Sequence, residues 1–279
     1  MSSTRIVILG ALAGGTIFVG LPVGRMRRPA PRLRQFLNAS AIGVLVFLLI
    51  DIGSHALAPL DARLTVIRSG RGSIPDLIGL ATLLVLGLGI GLLSLVYYEA
   101  WMRRRRRRFG PGAAAVEEFE ASSRTLADTA MRTALLIAIG IGLHNFSEGL
   151  AIGQAAVTGE VSLAVLLVIG FGLHNATEGF GIVGPFAGGS VRPSWGRLTA
   201  LGLIGGGPTF VGTVLGQAVH SDALSVAFLA LAAGSILYVI VQLVGVALRS
   251  GSRQALYWGL LVGLVAGIAT DLVVTAAGG

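Results

Sequence analysis

Residues 140–153 read GIGLHNFSEGLAIG, and residues 170–184 read GFGLHNATEGFGIVG. The pattern G-x-G-L-H-N-x-(S/T)-E-G is thus written twice, thirty residues apart, each time inside a long apolar stretch. On a helix, His144 and Glu148 stand at i and i+4 and share one face, with Cβ atoms about 5–6 Å apart. His174 and Glu178 repeat the arrangement, and Asn145 and Asn175 lie one residue round from each His. Ionisable side chains are costly in a hydrocarbon environment, so a matched pair of them points to function rather than packing.

The surroundings decide the class. Of 279 residues, 54% are hydrophobic and only 12% are charged, about half the charged fraction of an ordinary soluble domain. Eight apolar stretches long enough to cross a bilayer follow one another, at roughly 4–24, 36–60, 76–100, 127–155, 160–187, 196–219, 222–248 and 254–277. The expected fold is an all-α membrane protein of eight transmembrane helices. It is expected to form a single polytopic domain over 1–279, with the two motifs in spans 4 and 5. The first stretch is interrupted by Gly10, Gly14 and Gly15 and has Arg5 alone where a signal peptide has a longer basic start, so it reads as a retained span.

All 21 basic residues are Arg, and the net charge is +8. Every Arg except Arg5, Arg63, Arg68 and Arg71 falls in the links after spans 1, 3, 5 and 7, which share one side if the spans number eight. By the positive-inside rule that side is cytoplasmic, which places the chain in the cell (inner) membrane with both termini outside. The basic balance therefore reflects topology, and nucleic acid is given little weight as a partner. The link over about 101–126 begins with six consecutive Arg and turns acidic at Glu117, Glu118 and Glu120; it is expected to be a mobile, solvated segment. There is no Cys, so disulfides and thiolate ligands are excluded. The 42 Gly residues, dense in spans 4 to 8, suit close-packed helices that slide or kink, for example at Gly205-Gly206-Gly207-Pro208.

Two imidazoles and two carboxylates form an N/O set of the kind Zn²⁺ accepts, and Fe²⁺, Mn²⁺ or Cd²⁺ less selectively. The two carboxylates would neutralise one dication, which makes such a cluster tolerable in a low dielectric. Asp51 and His55, again four apart in span 2, are candidate accessory ligands, with structural hydrogen bonding an equal alternative. The same donor set admits an intramembrane metal-dependent hydrolase, which needs an open coordination position and a general base outside the ligands. It ranks behind because no HExxH is present and the i, i+4 pairs run from His to Glu rather than from His to His. Polar bonding between helices is the third reading.

HNFSEG at 144–149 and HNATEG at 174–179, in the fourth and fifth of eight spans, resemble the ZIP family of divalent metal transporters. AAGSILYVIVQ at 232–242 is similar to that family's AAGxxxYV segment, and the Asp51–His55 turn is similar to its polar turn in span 2. The resemblance implies an inverted repeat, a metal site near the midplane between spans 4 and 5, and transport towards the cytoplasm. It also implies a shift of spans 1, 4, 5 and 6 against the others. The metal would be cargo, with no cofactor. The expected partners are the ion, the bilayer and, as one option, a second copy of the chain in a homodimer. Three departures stand out: Ser147 and Thr177 where the family has Pro, Gly207 where it commonly has Glu, and Gln242 where an acid is common. They lead to the expectation of one well-formed site, from His144, Glu148, His174 and Glu178. A second site, from Asn145 and Asn175 with the shared Glu residues, is expected to be weak or absent.

Overall fold

The computed structural model describes residues 2–26, 31–106, 115–157, 161–186, 192–218, 221–249 and 252–276. The first span is α1 (Ser3–Gly15), α2 (Ile17–Gly20) and a 3₁₀ turn, Leu21–Arg25. Then follow α3 (Pro31–Arg68), α4 (Ile74–Arg106), α5 (Ala115–Val157) and α6 (Val161–Val183). A short 3₁₀ turn, Gly184–Phe186, leads to α7 (Trp195–Gly216), α8 (Asp222–Leu248) and α9 (Arg253–Ala276). Among the described residues there is no strand. Seven of these spans are long and apolar enough to cross a bilayer, and α6, at 23 residues, is the eighth helix of that length. The protein is an all-helical membrane protein, as its hydropathy implies.

Several helices outrun the apolar stretches that mark them. α3 has 38 residues, about 57 Å of helix against a hydrocarbon core of about 30 Å. Hydropathy marks where the membrane ends, whereas the backbone stays helical through the polar residues beyond. The Arg-rich link expected over 101–126 lies largely outside the description: residues 107–114 are not described, and neither are the side chains of 105–126. The first span breaks at Thr16, whose N–H and hydroxyl both donate to the Ala13 carbonyl.

Glycine sets which helices touch. A Cβ on Gly14 would collide with the Gly206 carbonyl of α7, and one on Gly20 would collide with α6 at Ala176 and Gly179. Gly149 and Gly212 bring α5 and α7 equally close, Gly263 seats α9 on α3 at Ser40, and Gly91 seats α4 on α8 at Leu231. Such close backbone approach is the usual means of association where lipid offers helices no hydrophobic contrast. These contacts come in matched pairs. Exchanging the first span, α3, α4 and α5 for α7, α8, α9 and α6 maps α1·α6 onto α7·α5 and α3·α9 onto α8·α4. Because the exchanged elements run oppositely through the membrane, this is the pattern of an inverted repeat.

Two groups of helices result. α1, α2, α5, α6 and α7 gather round the motifs, α3, α4, α8 and α9 form the other group, and they meet where α5 runs along α8 and α6 along α3. The outer faces of α4 and α9 expose Ile78, Val85, Val96, Trp258, Val265 and Leu272, a surface suited to lipid rather than water.

Candidate metal centre

Both motifs are helical throughout, so the i, i+4 spacing delivers what it promises. Glu148 sits between the two imidazoles: its Oε1 lies 2.9 Å from His144 Nε2 and 2.6 Å from His174 Nε2. Glu178 Oε1 approaches His144 Nε2 to 3.5 Å. His144, Glu148 and His174 each offer a ligand-type atom within 4.8 Å of the others. The two imidazole rings are 6.2 Å apart at their centroids and tilted by 35°. All four side chains are buried.

Burial without hydrogen-bond partners is the notable feature. His144 Nε2 is near Glu148 but not aligned for a hydrogen bond, so neither of its ring nitrogens has a hydrogen-bond partner. Glu148 Oε2 and Glu178 Oε1 are also unpartnered. Buried polar atoms are nearly always hydrogen-bonded, and an unmatched group of acceptors at one point is what a cation would satisfy.

The Asn residues divide their roles. Asn145 Nδ2 donates to Glu178 Oε2 at 3.2 Å and to the Gly205 carbonyl of α7 at 3.0 Å, which orients Glu178. Asn175 Nδ2 donates to the Ala13 carbonyl of α1 at 3.2 Å, the same bond in the other repeat. α7 thus contributes the Gly205 carbonyl. A side chain at Gly207 would enter open space, half exposed, two residues round the helix from Gly205. Backbone partners on α1 and α7 carry no sequence signal, and the motif alone did not reveal them.

The hydroxyls that stand in place of Pro do not reach the i−4 carbonyl, the usual partner of a Ser or Thr within a helix. Thr177 Oγ1 donates to the His174 carbonyl, at i−3, and Ser147 Oγ leaves its own helix for the Phe228 carbonyl of α8 at 3.1 Å. α8 passes close enough to compete for the Ser147 hydroxyl, so packing overrides the local bond.

His55 and Asp51 are not part of the cluster. His55 Nδ1 lies 2.9 Å from the Asp51 carbonyl and 3.4 Å from its carboxylate, and the imidazole is exposed. The two residues do share with Glu148 and His174 the wall of one cavity of about 770 Å³, along with Phe228 and Asp271. The cavity reaches Gln154 and Thr275, near the ends of α5 and α9, and so opens on the Arg-poor face. Towards the Arg-rich face the fully buried Ile17, Leu45, Ile141 and Ile182 fill the space below the cluster. The site is open to one face and closed to the other.

Gln242 lies apart from the cluster too. Its Nε2 donates to Glu99 Oε2 at 2.9 Å and to Tyr238 Oη at 2.8 Å, and Tyr238 Oη donates to the same carboxylate oxygen at 3.0 Å. Arg103 pairs with the other oxygen of Glu99. This network clasps α4 to α8. An acid at 242 would set two carboxylates together, whereas the amide supplies a donor.

Residues 104–270 match the profile of the family described as "ZIP Zinc transporter". That span holds both motifs and more than half of the chain. The chain belongs to the ZIP family. It is 32% identical over 277 residues to the "Zinc transporter ZupT" of Escherichia coli O7:K1 (strain IAI39 / ExPEC), covering 97% of each chain. Against the protein of the same name from strain K12 / DH10B it is 30% identical over 276 residues, again with 97% of each chain covered. Membership of the ZIP family supports divalent metal transport in an integral membrane protein. Relatives named as transporters agree with that reading over hydrolysis, the other chemistry this donor set permits.

Proposed function

We propose that this ZIP protein carries divalent metal ions, zinc foremost, from the Arg-poor face to the Arg-rich face, which the positive-inside rule makes the cytoplasm. His144, Glu148, His174 and Glu178 hold the ion, Asn145 orients Glu178, and Asn175 fixes α6 to α1. Asp51 and His55 meet the ion in the vestibule before it reaches the cluster. One observation carries the reading: the buried His144, Glu148 and His174 of two helices converge, with Glu178 beside them, where Glu148 and His174 line a one-sided cavity and acceptor atoms are left unmatched. The curated relatives are named for zinc, and the paired imidazoles suit a borderline ion better than an oxygen-only set would. Two carboxylates balance one dication, so the cluster takes a single ion at a time, and a second site from Asn145 and Asn175 adds nothing.

The test is radiometal uptake into proteoliposomes across a panel of dications, with zinc expected to be taken up and to compete with the others. Lack of flux for every dication would end the reading. The ligands must be deprotonated to bind, so binding releases protons and affinity rises with pH. Uptake at limiting zinc is therefore expected to fall several-fold on passing from neutral to mildly acidic medium outside. Saturating zinc should recover much of the loss, a signature of competition between proton and metal.

A further inference from the structure

The open vestibule has a closed counterpart on the other face. The internal symmetry is fixed by equivalent glycine contacts: Gly20 on α6 answers to Gly212 on α5, and Ser40 under Gly263 answers to Leu231 under Gly91. Continued along the helices, the same registers carry Leu150 to Phe180 and Gln154 to Gly184. On the facing helices they carry Ser225 to Arg34, Phe228 to Leu37 and Leu229 to Asn38. Leu150, Gln154, Ser225, Phe228 and Leu229 line the cavity of about 770 Å³. Their counterparts Phe180, Gly184, Arg34 and Leu37 line a pocket of about 10 Å³, room for no more than about one water.

Two contacts hold the small pocket shut. Asn38 packs its side-chain oxygen where a Cβ on Gly184 would be, leaving no gap between α3 and the end of α6. Arg34 Nη2 donates to the Met26 carbonyl at 2.6 Å, tying α3 to the end of the first span. That bond joins the two helix groups on the Arg-rich face. The corresponding residue on the open face, Ser225, is too short to make such a tie. We propose that the pocket around Leu37 and Val183 is the collapsed exit vestibule, and that Arg34 is the positioning residue that latches it. The inference rests on the transport reading. A guanidinium at this point also opposes a dication, so release of the ion requires Arg34 to leave Met26 and swing outward.

The chain has no Cys, which makes side-specific thiol labelling clean. Val183→Cys reports on the closed pocket and Ala151→Cys on the open cavity. An impermeant maleimide applied to the Arg-rich face is expected to label Val183→Cys slowly. Adding Arg34→Gln should raise that rate at least tenfold and lower the rate of Ala151→Cys from the opposite face. Arg34→Lys, which still donates to a carbonyl, should keep Val183→Cys slow. Arg34→Met, which preserves the apolar stem, substitutes for Arg34→Gln if the latter does not accumulate. An unchanged Val183→Cys rate in a variant that still takes up metal would overturn the latch and leave transport standing. Absence of metal uptake by the parent protein would instead remove the transport reading, whatever the labelling.

Discussion

Glu148→Ala is expected to reduce divalent uptake to background while the protein accumulates in the membrane at its normal level. Glu148 is the residue the two motif helices share, with one carboxylate oxygen between His144 Nε2 and His174 Nε2. Without it, one carboxylate is left against two positive charges, in a site from which water and counter-ions are excluded. The same substitution is gentle on folding, because it removes a buried charge whose second oxygen has no partner. The structural cost is the lost contact to His174, about 1–3 kcal/mol. Glu148→Gln keeps the volume and loses the charge, so it should fail equally, which separates charge from shape. The measurement is initial uptake in a zinc-uptake-deficient host, normalised to the amount of protein in the membrane. Parent-like uptake by either variant would remove the motif from the mechanism.

The cluster was legible in the sequence because its geometry is local. A spacing of four from His to Glu fixes a shared helix face, and repetition in the next span supplies the other half of the donor set. What closes round the cluster was not legible. The carbonyls of Ala13 and Gly205 that receive Asn175 and Asn145 come from α1 and α7, and any residue supplies a carbonyl. The bond from Ser147 to Phe228 depends on how near α8 passes, which no local pattern encodes. Glu99 lies at the end of the apolar stretch 76–100, yet Tyr238 and Gln242 hold it by hydrogen bonds from sequence positions far downstream. His55 and Asp51 read much like the motif, four apart in an apolar helix. They stay out of the cluster because no partner helix brings a second such pair against them. Arg placement sets only the expected chain orientation, whereas which face the cavity opens on is a property of packing.

The Gly content shows the same limit in a form that predicts unequal results for adjacent residues. Gly206→Ala is expected to destabilise the protein, and Gly207→Ala to change its stability far less. Both lie in α7, next to one another and one residue or two before Pro208, and composition does not distinguish them. A Cβ on Gly206 would collide with the Gly14 carbonyl, and a Cβ on Gly14 would collide with the Gly206 carbonyl in return. Neither atom is the loose end of a side chain, so α1 and α7 would have to part. Overpacking of a tight interface costs about 1–3 kcal/mol, and here backbone meets backbone, which places the cost at the upper end. α1 also carries the Ala13 carbonyl that holds Asn175, so the displacement reaches α6 and the cluster. A Cβ on Gly207 meets nothing within 4 Å. There the substitution sets the helix preference of Ala over Gly, up to about 1 kcal/mol, against the crowding that the Pro208 ring imposes on a Cβ in the preceding residue. Thermal unfolding of the two purified variants in the same detergent, with zinc uptake measured beside it, tests the pair. Equal melting temperatures for Gly206→Ala and Gly207→Ala would mean that α1 and α7 do not meet at backbone distance. The inverted-repeat packing that places both motifs at one point would then lose the contact on which its symmetry is anchored.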